Sequence, residues 1–265
     1  MNRESFDPET LDAVAAHLRA AQRILFITGA GISADSGLST YRGQGGLYNE
    51  TVTDEGFPIE EAVSGPMFQR RPDITWKYLS MMAEGREGAT FNDGHRVIAE
   101  MEHSPEVGDV CVLTQNVDGF HRAAGSENVI EIHGNSRELY CPACGWETQI
   151  DSYGEIREIP PRCPQCNAVI RPRVILFEEM LPEAALDHLF AEMNQGFDMV
   201  FSIGTSALFP YIVQPVVEAA RQGKPTVEIN PAETDLSGLV DYRLPCGARD
   251  ALTALWSHYS DRLRR

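Results

Sequence analysis

The sequence is poor in basic residues: 22 lysines and arginines stand against 39 aspartates and glutamates, which gives a formal net charge of −17. A surface with this excess of negative charge repels phosphate backbones and anionic lipids, so we expect no direct nucleic-acid binding and no membrane binding. Cationic partners such as lysine-rich protein segments are favoured instead. Solubility alone also explains the negative charge, and that alternative stays open.

Long apolar runs are missing as well. No stretch approaches the roughly 20 apolar residues that span a bilayer, and Met1 to Ser5 lack the apolar core of a signal peptide. We therefore expect a cytoplasmic protein. Hydrophobic residues make up 43% and charged residues 23% of the 265 residues, as in ordinary globular enzymes. This length allows a large domain with a smaller appendage.

Short apolar runs rich in Val and Ile alternate with helical patterns along most of the chain. Asp7 and Pro8 are typical of the cap and first residue of a helix. The apolar runs, which suit parallel strands buried on both faces, are 24–27, 110–113, 129–132, 199–203 and 226–229. Helical periodicity occurs at 92–104, 182–195 and 210–222. The alternation predicts an α/β fold with a doubly wound, mostly parallel, Rossmann-like sheet.

Two segments interrupt this alternation. Residues 43–90 contain helical or loop-like pieces, and residues 139–172 are rich in proline and contain four paired cysteines. We interpret them as insertions that together form a small domain, a helical insertion plus a zinc ribbon. The larger Rossmann-like domain would then comprise residues 1–42, 91–138 and 173–265.

The first apolar run leads into a glycine-rich turn. Residues 29–34 match G-x-G-x-x-[GA], in which glycines let backbone N–H groups approach a pyrophosphate. The motif alone is weak, because glycine turns after strands also have purely structural uses. A dehydrogenase needs a second strand that ends in Asp or Glu about 20 residues later, and residues 35–60 contain none. The sequence thus predicts dinucleotide binding without hydride transfer.

Four of the six cysteines form two C-x-x-C pairs, Cys141 with Cys144 and Cys163 with Cys166. Two such turns present four thiolates to one tetrahedral Zn²⁺, and four sulfur ligands leave no position for water, so we expect a structural zinc. A redox pair is the alternative. Zinc ribbons also bind nucleic acid, but this segment has few basic residues.

Six motifs resemble, in order, those of the sirtuin family. They are residues 29–37, Thr40-Tyr41-Arg42, residues 114–121 (Thr-Gln-Asn-Val-Asp-Gly-Phe-His), Ile132-His133-Gly134 followed by the paired cysteines, Gly204-Thr205-Ser206, and Glu228-Ile229-Asn230. The resemblance extends over roughly residues 10–260. It implies an NAD-dependent protein lysine deacylase that uses NAD+ as co-substrate, holds a structural Zn²⁺, and acts on acyl-lysine proteins or peptides.

The resemblance also assigns the cofactor contacts. The residues 29–31 would surround the pyrophosphate, the turn 115–118 would contact nicotinamide and its ribose, Asn230 would bind the adenosine ribose, and 246–248 would lie near adenine. Ser206 suits a phosphate contact at a strand-to-helix turn. The full set expected to contact NAD+ is Gly29, Ala30, Gly31, Ala34, Tyr41, Arg42, Gln115, Asn116, Val117, Asp118, Gly204, Thr205, Ser206, Asn230, Cys246, Gly247 and Ala248.

Catalysis is assigned by the resemblance to His133 and Asn116. In this family the acyl-lysine oxygen attacks C1′ of the nicotinamide ribose, nicotinamide leaves, and a base then activates a ribose hydroxyl. An imidazole suits that task, because its ordinary pKa of about 6.5 leaves it neutral yet basic at physiological pH. The expected products are nicotinamide and O-acyl-ADP-ribose. A histidine after a strand is otherwise often structural, and we keep that interpretation for His95 and His121.

The substrate strand departs from the family pattern V-x-F-G-E. Its residues here are Ile175, Leu176, Phe177 and Glu178, with Glu178 in place of glycine. We expect this backbone to pair with the acyl-lysine peptide and the carboxylate to favour neighbouring basic residues or to narrow access. Tyr41 likewise replaces a phenylalanine, and we expect activity to survive that exchange.

The acyl preference is partly readable from one helix. Members that remove succinyl or malonyl groups have a Tyr-x-x-Arg pair, whose arginine binds the extra carboxylate. Here Tyr78 is followed at that spacing by Met81. A neutral acyl group is therefore expected, either acetyl or a longer chain accommodated by flexible methionines.

Two other functions stay open from the sequence alone. A mono-ADP-ribosyltransferase also cleaves NAD+ but passes the ADP-ribose to a protein nucleophile. A non-catalytic NAD or ADP-ribose sensor needs only the binding residues. The presence of His133, Asn116 and Asp118 together argues against the sensor, because binding alone needs no base.

Overall fold

The strands of the protein form two sheets. The computed structural model describes residues 7–40 and 52–263, and the strands in these ranges are β1 (Arg23–Thr28), β2 (Asp109–Thr114), β3 (Val129–Glu131), β4 (Gly134–Tyr140), β5 (Glu147–Gln149), β6 (Arg171–Val174), β7 (Met199–Ile203), β8 (Thr226–Ile229) and β9 (Tyr242–Leu244). Six form a parallel sheet in the order β3-β2-β1-β7-β8-β9, and three form an antiparallel sheet in the order β5-β4-β6. The strand order reverses beside β1, which confirms the predicted doubly wound fold.

Helices connect the strands and cover the large sheet. They are α1 (Pro8–Ala20), α2 (Ala30–Ala34), α3 (Ile59–Ala62), α4 (Gly65–Arg70), α5 (Pro72–Glu84), α6 (Asp93–Glu102), α7 (Phe120–Ala123), α8 (Glu183–Gln195), α9 (Pro210–Arg221) and α10 (Ala248–Leu263). The carboxylate of Asp7 accepts the N–H groups of Glu9 and Thr10, so α1 begins where its cap predicted. The predicted helices at 92–104, 182–195 and 210–222 are confirmed as α6, α8 and α9.

Two hydrophobic cores lie on opposite faces of the large sheet. Side chains alternate along β1, so that Ile24 and Phe26 pack with α1, α6 and α10, while Leu25 and Ile27 pack with α8 and α9. All four side chains are fully buried. Burial on both faces explains why these strands are continuously apolar in sequence.

The two inserted segments have cores of their own. The helices α3, α4 and α5 share an apolar cluster with Phe177. Trp76 of α5 packs in a second cluster with the cysteine-rich segment, and its indole N–H donates to the carbonyl of Ile170 at 2.8 Å. The predicted domain boundaries after residues 138 and 172 fall within β4 and β6, and the division into two domains stays a prediction.

Neither the antiparallel sheet nor β9 was predicted from the sequence. Within residues 7–40 and 52–263, no helix combines the length and apolarity that crossing a membrane requires.

Candidate active site

The carboxyl ends of the parallel strands bring the predicted segments together at one edge of the sheet. The glycine turn follows β1, Gln115 follows β2, and His133 lies two residues beyond β3. Gly204 follows β7 and Asn230 follows β8. Parallel strands end on the same side, so these residues meet at the point where the strand order reverses, which is where ligands bind in such sheets.

Two glycine turns contact each other backbone to backbone. The N–H of Gly29 donates to the carbonyl of Ile203 at 3.0 Å, and that of Gly31 donates to the carbonyl of Gly204 at 2.8 Å. A Cβ on Gly31 would lie 2.6 Å from the Cα of Gly204, whose own φ is +57°. Both turns therefore require glycine. Ala30 begins α2 and Ala34 ends it, exposed.

Polar side chains behind the first glycine turn form a connected network. The amide of Asn116 donates to the carbonyl of Gly29 at 3.1 Å and lies 3.3 Å from Ser33 Oγ. Ser33 in turn donates to Oδ2 of Asp118 at 2.8 Å, and the N–H of Phe120 donates to Oδ1 at 3.0 Å. Burial raises the pKa of Asp118 in spite of these hydrogen bonds. No role was predicted for Ser33, although it lies within the glycine motif.

A cavity of about 80 Å³ borders this network. Its lining includes Asn116, Val117 and Asp118 of the predicted nicotinamide turn. Met81, Met82 and Arg86 also line it. The positive charge of Arg86 lowers the pKa of Asp118, against the larger effect of burial. Arg86 was not predicted, because its proximity to residue 118 arises only in the folded chain.

Hydrogen bonds hold both ring nitrogens of His133. Nδ1 lies 2.9 Å from the carbonyl oxygen of Gln115. Because a carbonyl only accepts, Nδ1 bears the proton of the neutral ring and Nε2 is bare. Nε2 accepts the hydroxyl of Tyr211 at 2.7 Å. Burial lowers the pKa of His133 and the bond to Gln115 partly offsets it, so the ring is neutral at physiological pH.

Thr205 links the strand ends on the other side of the glycine turns. Its carbonyl accepts the amide of Asn230 at 3.0 Å, and its hydroxyl accepts the amide of Gln115 at 2.7 Å. Ser206 is exposed and precedes the start of α9 at Pro210 by four positions. Ser206, which was expected to contact phosphate at a strand-to-helix turn, therefore lies in the loop before α9 and not in the first turn of the helix.

The segment 246–248 reaches the end of the glycine motif through Asp35. A Cβ on Gly247 would lie 3.3 Å from the carboxylate of Asp35. The same carboxylate accepts the N–H of Arg249 at 3.2 Å. This contact lies at the start of α10, whose first residue is Ala248. Burial raises the pKa of Cys246 to about 11, so its thiol stays protonated. Tyr41 and Arg42 lie outside the described residues.

The predicted substrate strand, residues 175–178, lies beyond the end of β6 at Val174, with Phe177 in an isolated bridge to Ser64 and Glu178 in a turn. This substrate segment lies beside His133 and is fixed by backbone hydrogen bonds. The N–H of Ile175 donates to the carbonyl of His133 at 2.9 Å. Phe177 donates to the carbonyl of Val63 at 3.1 Å and accepts the N–H of Gly65 at 2.9 Å. The substrate segment thus joins the histidine to the helical insertion.

An ion pair between buried Arg171 and half-buried Glu179 fixes the turn at the end of this segment. Arg171 donates to both carboxylate oxygens of Glu179, at 2.6 and 2.8 Å, and its side chain is only 7% exposed. Glu179 also accepts the N–H of Leu176 at 2.9 Å. Such a two-point pair holds backbone geometry more strictly than a single contact.

Glu178 has a left-handed backbone conformation, with φ of +65°. Glycine adopts this conformation without cost, whereas a side chain costs roughly 1–2 kcal/mol. The carboxylate lies at a cavity of about 650 Å³. Glu60, Glu61 and Arg70 also line this cavity, and Arg70 lies 3.9 Å from Glu61. Acidic groups thus exceed basic ones beside the substrate segment.

The four paired cysteines converge at the end of the antiparallel sheet. All four sulfur atoms lie within 4.8 Å of one another, with 3.5 Å between Cys141 and Cys166 and 3.6 Å between Cys144 and Cys163. A tetrahedron of ~2.3 Å zinc–sulfur bonds requires sulfur separations of about 3.8 Å. The cluster therefore fits one Zn²⁺ with no open position.

The chain is similar to known proteins over most of its length. A model of the Sir2 family matches residues 29–210. NAD-dependent protein deacylase 2 of Pseudomonas aeruginosa is 52% identical over 248 residues, which are 92% of this chain and 95% of that protein. NAD-dependent protein deacylase 1 of Archaeoglobus fulgidus is 35% identical and covers 89% of this chain and 92% of its own length.

The fold is also similar to solved structures of Sir2 homologues. A mutant Sir2 homologue in complex with ADP-ribose superposes with a TM-score of 0.84 at 32% identity, over 98% of each chain. A Sir2 homologue in complex with NAD superposes with a TM-score of 0.82 at 33% identity, over 95% of this chain and 94% of the other.

Proposed function

The chain belongs to the Sir2 family and is an NAD-dependent protein lysine deacylase, and we propose that His133 is the base of its reaction. The enzyme removes acetyl or other neutral acyl groups from protein lysines and gives nicotinamide and O-acyl-ADP-ribose. The observation that supports the role of His133 is its pair of hydrogen bonds: Nδ1 is bound to a carbonyl, so Nε2 is left as the basic atom. Burial keeps the ring neutral and ready to accept a proton.

NAD+ supplies the ribose carbon that takes the acyl oxygen, and the chain's residues bind and orient it. We assign the pyrophosphate to the turn 29–31, where glycines let backbone N–H groups come close. We assign nicotinamide to the cavity beside Asn116 and Asp118, whose side chains are fixed by Ser33. We assign the adenosine ribose to Asn230 and the adenine to residues 246–248.

The acyl-lysine substrate is assigned to the substrate segment, residues 175–178. The segment leads directly from His133, so a peptide bound beside it would bring the modified lysine to the base. The acidic cavity formed by Glu60, Glu61 and Glu178 then lies beside the peptide. We propose that it favours substrates with lysine or arginine near the modified residue.

The excess negative charge of the chain favours protein substrates with basic residues, and it disfavours nucleic acid or lipid as partners. We place the enzyme in the cytoplasm, where thiols stay reduced and available to zinc.

Incubation of the protein with an acetyl-lysine peptide and NAD+, followed by mass spectrometry, tests this function. Deacetylated peptide, nicotinamide and O-acetyl-ADP-ribose should form in equal amounts. A gain of ADP-ribose on protein would indicate the ADP-ribosyltransferase instead, and no turnover with any neutral acyl chain would indicate a sensor.

A further inference from the structure

Tyr211 binds the one atom of His133 that the reaction needs. Its hydroxyl lies 2.7 Å from Nε2, while Nδ1 is occupied by the carbonyl of Gln115. A bare imidazole nitrogen has one lone pair and accepts one hydrogen bond. The hydroxyl of Tyr211 therefore uses the same acceptor that a ribose hydroxyl requires when His133 acts as base.

The position of this hydroxyl is fixed by the start of α9. Phe209 caps the helix with its carbonyl, which accepts the N–H groups of Ile212 and Val213. The rings of Phe209 and Tyr211 stack with centroids 5.4 Å apart and an angle of 11° between their planes. Both rings stand nearly perpendicular to the ring of His133, at 83° and 87°. Tyr211 is thus placed beside the base by packing, as well as by its hydrogen bond.

The hydroxyl of Tyr211 is the donor in its hydrogen bond to His133. Burial raises the pKa of Tyr211 to about 12, so the hydroxyl stays protonated and donates to Nε2. Among the hydrogen bonds formed by described residues, this one is the contact that holds Nε2. The pair therefore keeps His133 in one orientation while the cleft is empty.

We propose that Tyr211 is a positioning residue for His133, whose hydroxyl stands in for the ribose hydroxyl of NAD+ and is displaced from Nε2 when the cofactor binds. The proposal rests on the proposed role of His133 as base. The ribose hydroxyl replaces the hydroxyl of Tyr211 at Nε2 of His133 before any bond of NAD+ is broken.

Displacement of the Tyr211 hydroxyl from His133 lowers the affinity only of ligands that have the second ribose of NAD+. Loss of the bond between Tyr211 and His133 opposes binding of NAD+ or ADP-ribose, whereas ADP lacks the ribose that would reach His133. Tyr211→Phe keeps the ring and its stacking on Phe209 but removes the competing hydroxyl. One net hydrogen bond changes an equilibrium about 2- to 10-fold, so affinity should rise by that factor.

Calorimetric titration with ADP-ribose and with ADP tests this. Tyr211→Phe should bind ADP-ribose about 2- to 10-fold more tightly and ADP unchanged. In deacetylation, the KM for NAD+ should fall by a similar factor while kcat stays within about two-fold. Introduced into His133→Ala, the same substitution should leave the affinity for ADP-ribose unchanged, because the acceptor is gone.

Tyr242→Phe is the matched control. The hydroxyl of Tyr242 lies 3.0 Å from Nε2 of His17, a pair of the same chemistry at the start of β9. It should change neither affinity nor kcat.

Three results would overturn the proposal: unchanged or weaker binding of ADP-ribose by Tyr211→Phe, an equal gain for ADP, or a large fall in kcat at constant KM. A fall of kcat alone would mean that Tyr211 works in the chemical step. Failure of the proposed function gives a different pattern, since His133→Ala would then deacetylate the peptide at the wild-type rate.

Discussion

Gly31 and Gly204 belong to different strand ends and pack so closely that a Cβ on Gly31 would lie 2.6 Å from the Cα of Gly204. The obstructing atoms are backbone, which cannot move aside as a flexible side chain would. The N–H of Gly31 also donates to the carbonyl of Gly204 at 2.8 Å. This contact joins β1 to β7 at the point where the cofactor is expected.

Gly31→Ala should therefore disrupt both the turn and cofactor binding. We expect a loss of about 1–3 kcal/mol in the free energy of unfolding, as in other overpacked sites, and at least about tenfold weaker binding of NAD+. Denaturant unfolding and titration with NAD+ measure the two effects. Gly238→Ala is the control, because its Cβ would meet open space. Equal behaviour of the two variants would contradict the close packing.

The strand ends could be predicted because the buried strands are continuously apolar and stop abruptly at polar or glycine residues. The zinc cluster could be predicted from the C-x-x-C spacing. The antiparallel sheet could not, since β4 mixes buried and half-buried residues irregularly, β5 is fully exposed and β6 contains Pro172.

The contacts of Tyr211 and Arg86 were also out of reach. Tyr211 belongs to α9 and Arg86 to the turn after α5, and in neither place does the sequence pattern show which distant residue the side chain meets. The hydrogen bond of Tyr211 to His133 joins residues 78 positions apart. Glu178 is an intermediate case: the family pattern shows that glycine is missing, and the φ of +65° shows why glycine fits there.

Asp118→Asn should stabilise the protein at neutral pH while impairing the use of NAD+. Burial raises the pKa of Asp118 above its ordinary 3.8, so the folded state favours the protonated carboxyl. The wild type therefore loses stability as pH rises from 3.8 through the raised pKa, and asparagine has no such loss. Unfolding measured from pH 3 to 8 should show equal stability changes below 3.8 and a growing advantage of the variant above it. A constant difference over this range would contradict the raised pKa.

Glu178 should set part of the peptide preference. Glu178→Gln removes the charge and keeps the size, so the preference for peptides with lysine or arginine beside acetyl-lysine should fall about 1.5- to 5-fold in kcat/KM, the range of an exposed ion pair. Glu178→Gly should lower it equally and also stabilise the fold by up to about 1 kcal/mol, by relieving the left-handed backbone.

A panel of acetylated peptides and thermal unfolding separate these two effects. Glu158→Gln, an exposed carboxylate that does not line the cavity, is the control. An unchanged preference in both Glu178 variants would rule out the electrostatic role.

The enzyme should remove acetyl groups well and succinyl groups poorly. By the resemblance, Met81 occupies the position at which family members that remove succinyl or malonyl groups have arginine. The hydroxyl of Tyr78 donates a hydrogen bond to the carboxylate of Glu55 at 2.6 Å. Met81→Arg should increase kcat/KM for a succinyl peptide relative to an acetyl peptide. Efficient desuccinylation by the wild type, lost in Arg86→Ala, would contradict the neutral assignment and identify Arg86 as the partner of the acyl carboxylate.

The role of His133 is tested most directly by comparing two steps in His133→Ala. Exchange of labelled nicotinamide into NAD+, in the presence of acetyl peptide, reports the departure of nicotinamide, and O-acetyl-ADP-ribose reports the later step that needs a base. We predict that exchange persists while O-acetyl-ADP-ribose formation falls about 100- to 10,000-fold. Product formation at the wild-type rate by His133→Ala would show that another group is the base.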